Sequence, residues 1–495
     1  MRKILLGTTA VVGLALFAQA ANAQQARPAA RPAPAPVVTP VAPPPLPATS
    51  VAPTGTAAAL FQTPVGVTGA GPHGADGVPN RPTTPTTSGL IVRLGGFFDF
   101  SMGNVQDDAD KASFRNNNGG QTTAKARARN DFRTESEINL YVDGIAANGM
   151  RYGAMFELQM DNVAAGSGTA VDYDELYGFV KGSWGELRFG QEDAAANLMQ
   201  VRRPGTLWMG SDDAWDEFVV QSGTFGGSPY IMSGLTDGSD KTKIIYLSPQ
   251  FFGFDVGFSY APNAGEGERT QLGASTTEFQ RDRTNIENEV SAVLRYRGTF
   301  GAVGVGASIG GVWADAPSLN ANGTPIAVKG QSVDAYSAGL VVRAFGFQVG
   351  GEYTWGQYNG TAPAGAALAK GLDESSHWVL GAVYTIGAFS VGAQYGQGTQ
   401  DNGTSSGAAG QSAAGTKLSD RTQTYLGLGV AYVLAPGMTL FANYNQVEDE
   451  NLPTAAPSVR ANNAGGTTLA NFGSAASPDR TRDITVLVAG VRIAF

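Results

Sequence analysis

The C-terminal stretch Thr485-Val486-Leu487-Val488-Ala489-Gly490-Val491-Arg492-Ile493-Ala494-Phe495 decides the fold. Leu487, Ala489, Val491, Ile493 and Phe495 share one phase; Val488, Gly490, Arg492 and Ala494 share the other. A period of two places these sets on opposite faces of a β-strand, one apolar and one mixed. The pattern returns upstream. Leu294 and Tyr296 alternate with Val293, Arg295 and Arg297, and Phe254, Val256, Phe258 and Tyr260 alternate with Asp255, Gly257 and Ser259. Leu340, Val342 and Ala344 alternate with Val341 and Arg343. Working outward to residue 90, sixteen strands are predicted near 90–101, 133–144, 150–161, 171–182, 185–191, 241–249, 253–261, 286–298, 301–313, 332–344, 346–357, 375–386, 388–399, 420–433, 438–447 and 481–495. Most approach the roughly 9–11 residues that a tilted strand needs to cross a bilayer. Their connections alternate between tight turns, such as Ser183-Trp184 and Ala435-Pro436-Gly437, and long Gly/Asn/Asp-rich loops, of which 102–132, 192–240, 262–285, 400–419 and 448–480 are the largest. This is the signature of an all-β chain: a transmembrane, antiparallel, up-and-down barrel of about sixteen strands, with both ends of the barrel on the short-turn side.

Composition agrees. Of 495 residues only 15% are charged and 67 are glycine, against roughly 25% charged and ~7% glycine in an average globular chain. With no cysteine and two histidines, thiol chemistry is excluded and a histidine-rich metal centre is disfavoured. No cofactor or metal is expected. The net charge of −9 argues against nucleic acid as a partner. Arg2 and Lys3, the apolar run Ile4–Phe17 and Ala21-Asn22-Ala23 read as a secretory signal peptide over 1–23, cleaved near Ala23. Residues 24–89 are rich in proline and alanine, which forbids helix and interior strand and predicts an extended or disordered periplasmic spacer. Residues 90–495 form the barrel.

Other readings are weaker. A secreted β-sandwich rarely carries an apolar outward face on every strand, and no passenger segment remains for an autotransporter. The cluster Asp373-Glu374-Ser375-Ser376-His377 contains the residue types of a hydrolase triad, but neighbours along a strand point to opposite faces. Gly301-Ala302-Val303-Gly304-Val305-Gly306 lies in a strand with no helix after it, so it is no nucleotide site. Enzymatic activity is not expected. Carboxylates in loops 262–285 and 448–480 offer donors suited to Ca²⁺, with nothing to rank them above solvated charge.

Three local patterns resemble the general porin family of Gram-negative outer membranes. They are Tyr177-Gly178-Phe179-Val180-Lys181-Gly182-Ser183-Trp184-Gly185-Glu186-Leu187-Arg188-Phe189-Gly190, Ile245-Tyr246-Leu247-Ser248-Pro249-Gln250-Phe251-Phe252-Gly253-Phe254, and the strand ending in Phe495. The resemblance implies a sixteen-stranded barrel embedded in outer-membrane lipid, usually a homotrimer, passing small hydrophilic solutes and ions by diffusion. A substrate-selective channel on the same barrel is the alternative. It also implies that Phe495 is read by the barrel-assembly machinery, and that the long loop after strand five folds into the lumen. One departure is Gln191, where many members place a pore-wall arginine.

That loop, 192–240, carries eight acids and two bases, for a sum of −6. Glu192, Asp193, Asp212, Asp213, Asp216 and Glu217 are the candidate acidic constriction. Trp208, Trp215, Phe218 and Phe225 are candidate anchors to the wall. Strand phase assigns Arg188, Arg295, Arg297 and Arg343 to the pore wall, because a lipid-facing arginine costs roughly 2–4 kcal/mol at the midplane. Arg492, Arg151, Glu137, Glu157 and Asp255 fall on the same side, whereas Glu175, Lys241 and Lys243 cannot be placed by phase. Eight acids against four wall arginines predict a moderate preference for cations.

Overall fold

A computed structural model describes residues 90–107, 128–160, 172–211, 215–219, 241–263, 286–319, 324–325, 332–358, 375–400, 420–451 and 482–495. The expectations for 1–23 and 24–89 lie outside these residues. Sixteen strands close into one antiparallel barrel in which every strand pairs with its sequence neighbours and β1 pairs with β16. They are β1 (Ile91–Asp107), β2 (Asn130–Ile145), β3 (Arg151–Gln159), β4 (Asp172–Gly182), β5 (Gly185–Gln191), β6 (Thr242–Leu247), β7 (Phe254–Ala261) and β8 (Glu287–Phe300), followed by β9 (Val303–Asp315), β10 (Val333–Ala344), β11 (Phe347–Gln357), β12 (Ser375–Ile386), β13 (Phe389–Gln400), β14 (Arg421–Ala435), β15 (Met438–Glu450) and β16 (Arg482–Ala494). Closure leaves no unpaired strand edge, which is the condition for sheet to exist inside a bilayer.

The period of two becomes a two-faced wall. Along β13, Phe389, Val391, Ala393 and Tyr395 are exposed while Ser390, Gly392, Gln394 and Gly396 are buried. Outward faces elsewhere present Leu340, Leu380, Leu428 and Leu487. Inward faces hold the charged and amide side chains. Aromatic rings gather on the outer surface at both ends of the strands. Phe254 packs on Tyr296 at 4.9 Å and Phe347 on Tyr384 at 4.4 Å near the short turns. Tyr336 stacks on Trp355 at 5.6 Å near the long connections. Two such girdles flanking an apolar band mark the two interfaces of a membrane.

Turn chemistry fixes the short end. Between β10 and β11, Phe345 and Gly346 have φ of 53° and 83°, the pair of positive values that a two-residue turn needs to match strand twist. The seam between first and last strands is closed by Phe495, whose backbone N–H donates to Gly96 O at 3.1 Å while Gly96 N–H donates to Phe495 O at 3.1 Å.

Candidate functional site

The chain leaves β5 at Gln191 and does not turn directly into β6. The described parts of the intervening segment lie against the inward-facing side chains of the barrel and follow the wall in strand order. A short helix, α1 (Ala195–Met199), opens it. Its first N–H groups lack helical acceptors, and wall serines supply them. Ala195 N–H donates to Ser259 Oγ on β7 at 3.1 Å, and Ala196 N–H to Ser291 Oγ on β8 at 2.7 Å. Val201 N–H then donates to Ser308 Oγ on β9 at 2.6 Å. On β11, Glu352 accepts from the Arg203 guanidinium at 2.8 Å and from the Arg203 N–H at 3.2 Å. On β13 and β15, Gln394 donates to Pro204 O at 3.0 Å and Asn443 to Leu207 O at 2.9 Å.

The segment then reaches the barrel seam. Trp208 Nε1 donates to Asp99 Oδ2 on β1 at 2.6 Å. Arg492 of β16 lies over the Trp208 ring at 4.5 Å while its guanidinium holds Asp99 at 2.7 Å. Trp215 is fully buried, stacks on Tyr425 at 6.4 Å, and donates to Gly210 O at 2.7 Å. A short 3₁₀ turn, Asp216–Phe218, brings the Phe218 ring against Gly103 of β1. Of the aromatic anchors expected from sequence, Trp208, Trp215 and Phe218 thus touch the wall, and Phe225 lies outside the described residues.

Two glycines permit this close course. A Cβ built on Gly339 of β10 would stand 1.7 Å from Val201 O, and one on Gly381 of β12 would stand 2.2 Å from Pro204 O. No side chain fits between wall and segment at these points.

The candidate acids divide by environment. Glu192 is fully buried, and its carboxylate accepts from Arg188 at 2.5 Å. Asp193 is half-buried. Asp216 is buried, while the Glu217 carboxylate is open to solvent and 3.7 Å from Arg133. Asp212 and Asp213 lie outside the described residues.

The candidate wall bases all point inward, as phase required, and most are neutralised locally. Arg188 also pairs with Glu186 at 2.9 Å. Arg295 and Arg297 both hold Asp255, at 2.8 and 2.7 Å. Arg343 is half-buried on β10. Lys241 and Lys243, ambiguous by phase, are buried. Lys241 pairs with Glu289, and Lys243 donates to Glu192 O. Gln191 is likewise buried. His377 is buried on the inner face and bonded through Nδ1 to the Tyr358 hydroxyl at 2.7 Å. Burial holds that phenol above its ordinary pKa.

Sequence reasoning missed Glu352, Asn443, Gln394, Gly339 and the serine ladder on β7, β8 and β9. Apart from Glu352, their signal was faint but present: small or amide residues stand in the inward phase of these strands, where a solvated wall would tolerate larger charges.

The pattern that defines Gram-negative porins matches residues 8–452. Among solved structures, the chain is similar to an anion-selective porin from Comamonas acidovorans, with 15% identity and a TM-score of 0.48, covering 82% of this chain and 100% of that one. It is also similar to the loop L8 deletion mutant of OmpT, an outer membrane protein of Vibrio cholerae, with 13% identity and a TM-score of 0.47, covering 82% and 99%. The trimer form of that OmpT gives 14% identity and a TM-score of 0.46, covering 82% and 99%. No curated protein matches the chain.

Proposed function

The chain belongs to the Gram-negative porin family, and from that premise we propose that it is a passive diffusion channel for small hydrophilic solutes and ions, moderately selective for cations. The observation that supports this most is the course of residues 192–211 and 215–219 on the inward-facing phase of the wall. A segment there narrows the water column to an aperture. Inside a narrow aperture, fixed charge acts over less than the ~8 Å Debye length, so local residues set selectivity more than the total does.

The barrel span 90–495 holds 28 bases and 41 acids. Arg188, Arg295, Arg297, Arg203 and Arg492 are each matched to an acid, so they offer passing anions little free positive charge. Glu217 and, in our reading, Asp212 and Asp213 supply the net negative field. The same reading includes a homotrimer in the outer membrane, with Phe495 as the residue the assembly machinery reads.

Planar-bilayer recording tests it. Purified protein should give large, stepwise, nearly ohmic conductance, with a reversal potential in a KCl gradient on the cation side. Neutralising Asp212, Asp213, Asp216 and Glu217 together should move that potential toward the anion side. An unchanged potential would remove these acids from the aperture. Small steps blocked by one solute would instead favour a substrate-selective channel.

A further inference from the structure

Buried acids on the inner wall are, as a rule, matched by a base. Asp99 has Arg492, Asp107 has Arg482, Asp255 has Arg295, Glu352 has Arg203 and Asp449 has Arg421. Glu137 of β2 and Glu157 of β3 break the rule. They are 5% and 1% exposed, and among the described residues neither makes an ion pair. Together with Asp174 of β4, each brings a carboxylate oxygen within 4.8 Å of the other two. Arg492 is already held by three hydrogen bonds from its Nε and Nη2 to Asp99.

Sequence register built this cluster. Along β3 and β4, Phe156 pairs with Leu176 but Leu158 pairs with Tyr173. Two residues of β4, Asp174 and Glu175, therefore stand opposite Glu157 alone. A bulge of this kind re-aims side chains that an even ladder would send to opposite faces. Three adjacent strands thereby bring carboxylates together, and for Glu137 and Glu157, buried without an ion pair, ionisation is costly.

A second observation points to a ligand. Asn139 lies directly across the β2–β3 register from Glu157. It is 2% exposed, and its Oδ1 has no hydrogen-bond partner. Glu137 Oε2 and Glu157 Oε2 also lack partners. Glu137 Oε2, Glu157 Oε2 and Asn139 Oδ1 are thus three buried acceptors that no donor meets. Carboxylates with an amide carbonyl are the oxygen set that Ca²⁺ takes, whereas Mg²⁺ keeps its waters and demands stricter octahedral geometry.

We propose that Glu137, Glu157 and Asp174, with Asn139 Oδ1, form a Ca²⁺ site that fastens β2, β3 and β4 together on the inner wall. The site is distinct from the segment 192–219, and its test does not use conductance. The full-length protein, purified in detergent and stripped with EGTA, is titrated with CaCl₂ and separately with MgCl₂ in a calorimeter at neutral pH. One Ca²⁺ should bind per chain, more tightly than Mg²⁺. Glu157→Gln and Asp174→Asn should each weaken Ca²⁺ at least about tenfold, since affinity follows ligand charge. Asn139→Ala should weaken it less. Asp174 is less buried than the two glutamates, so Asp174→Asn decides the matter if Glu157→Gln does not fold. Absence of Ca²⁺ binding to the wild-type protein would overturn the proposal. Wild-type affinity in Asp174→Asn would place any bound Ca²⁺ elsewhere.

Discussion

Glu352 ties the segment after β5 to the far wall by accepting both the guanidinium and the backbone N–H of Arg203. Glu352→Gln keeps the shape and removes the charge, leaving a buried guanidinium without its counter-ion. Breaking one side of such a pair costs about 3–5 kcal/mol. The barrel is held by its own ladders, so the loss should appear as a loosened segment. Limited proteolysis should cut within 192–240 sooner than in the wild type, while cooperative unfolding of the barrel in urea shifts less. On the other face, Leu340 is half-exposed and outward. Leu340→Arg should lower stability in lipid vesicles by ~2–4 kcal/mol, whereas Leu340→Phe should be nearly neutral. Equal unfolding midpoints for these two variants would refute the assignment of faces. The inward orientation of Arg188, Arg295, Arg297 and Arg343 was legible, because period two and the cost of arginine in lipid admit one answer. Their partners were not. Arg295 meets Asp255 only because β7 and β8 pair in one particular register, and periodicity within a strand carries no register.

At the level of elements, all sixteen strands were legible, and β5 and β12 have the bounds expected. The largest difference is β1, which continues six residues beyond the expected end to Asp107. Ser101-Met102-Gly103-Asn104-Val105-Gln106-Asp107 looks like loop by composition. It becomes strand because it pairs with both β2 and β16, and because Arg482 clamps Asp107 at 2.5 Å. The course of the segment after β5 was hidden for a related reason. It depends on glycines that read as ordinary strand residues until a backbone is laid over them. Gly339→Ala tests that course. The new methyl group would collide with Val201 O, so the segment must shift while β10 keeps its ladder. Single-channel conductance should change in size or become noisy, and the unheated electrophoretic mobility of the folded barrel should stay as in the wild type. Wild-type conductance in Gly339→Ala would mean that the segment does not press on β10.

At the largest scale, the described residues form a closed barrel with apolar rings outside and mostly paired charge inside, and the described parts of one segment follow the inner wall from β7 round to β1. We propose that this segment frames the aperture. The chain has no cysteine, so a single engineered thiol reports without background. Asn197 is suited to carry it. In α1, Ala195, Ala196, Leu198 and Met199 are buried, while Asn197 is only half-buried, which directs it away from the wall. Asn197→Cys should conduct as the wild type does. A bulky, water-soluble, thiol-specific reagent added during recording should then lower the conductance of each open channel in discrete steps, and a reductant should restore it. Labelling that leaves conductance unchanged, or a thiol that does not react from the aqueous side, would contradict the claim.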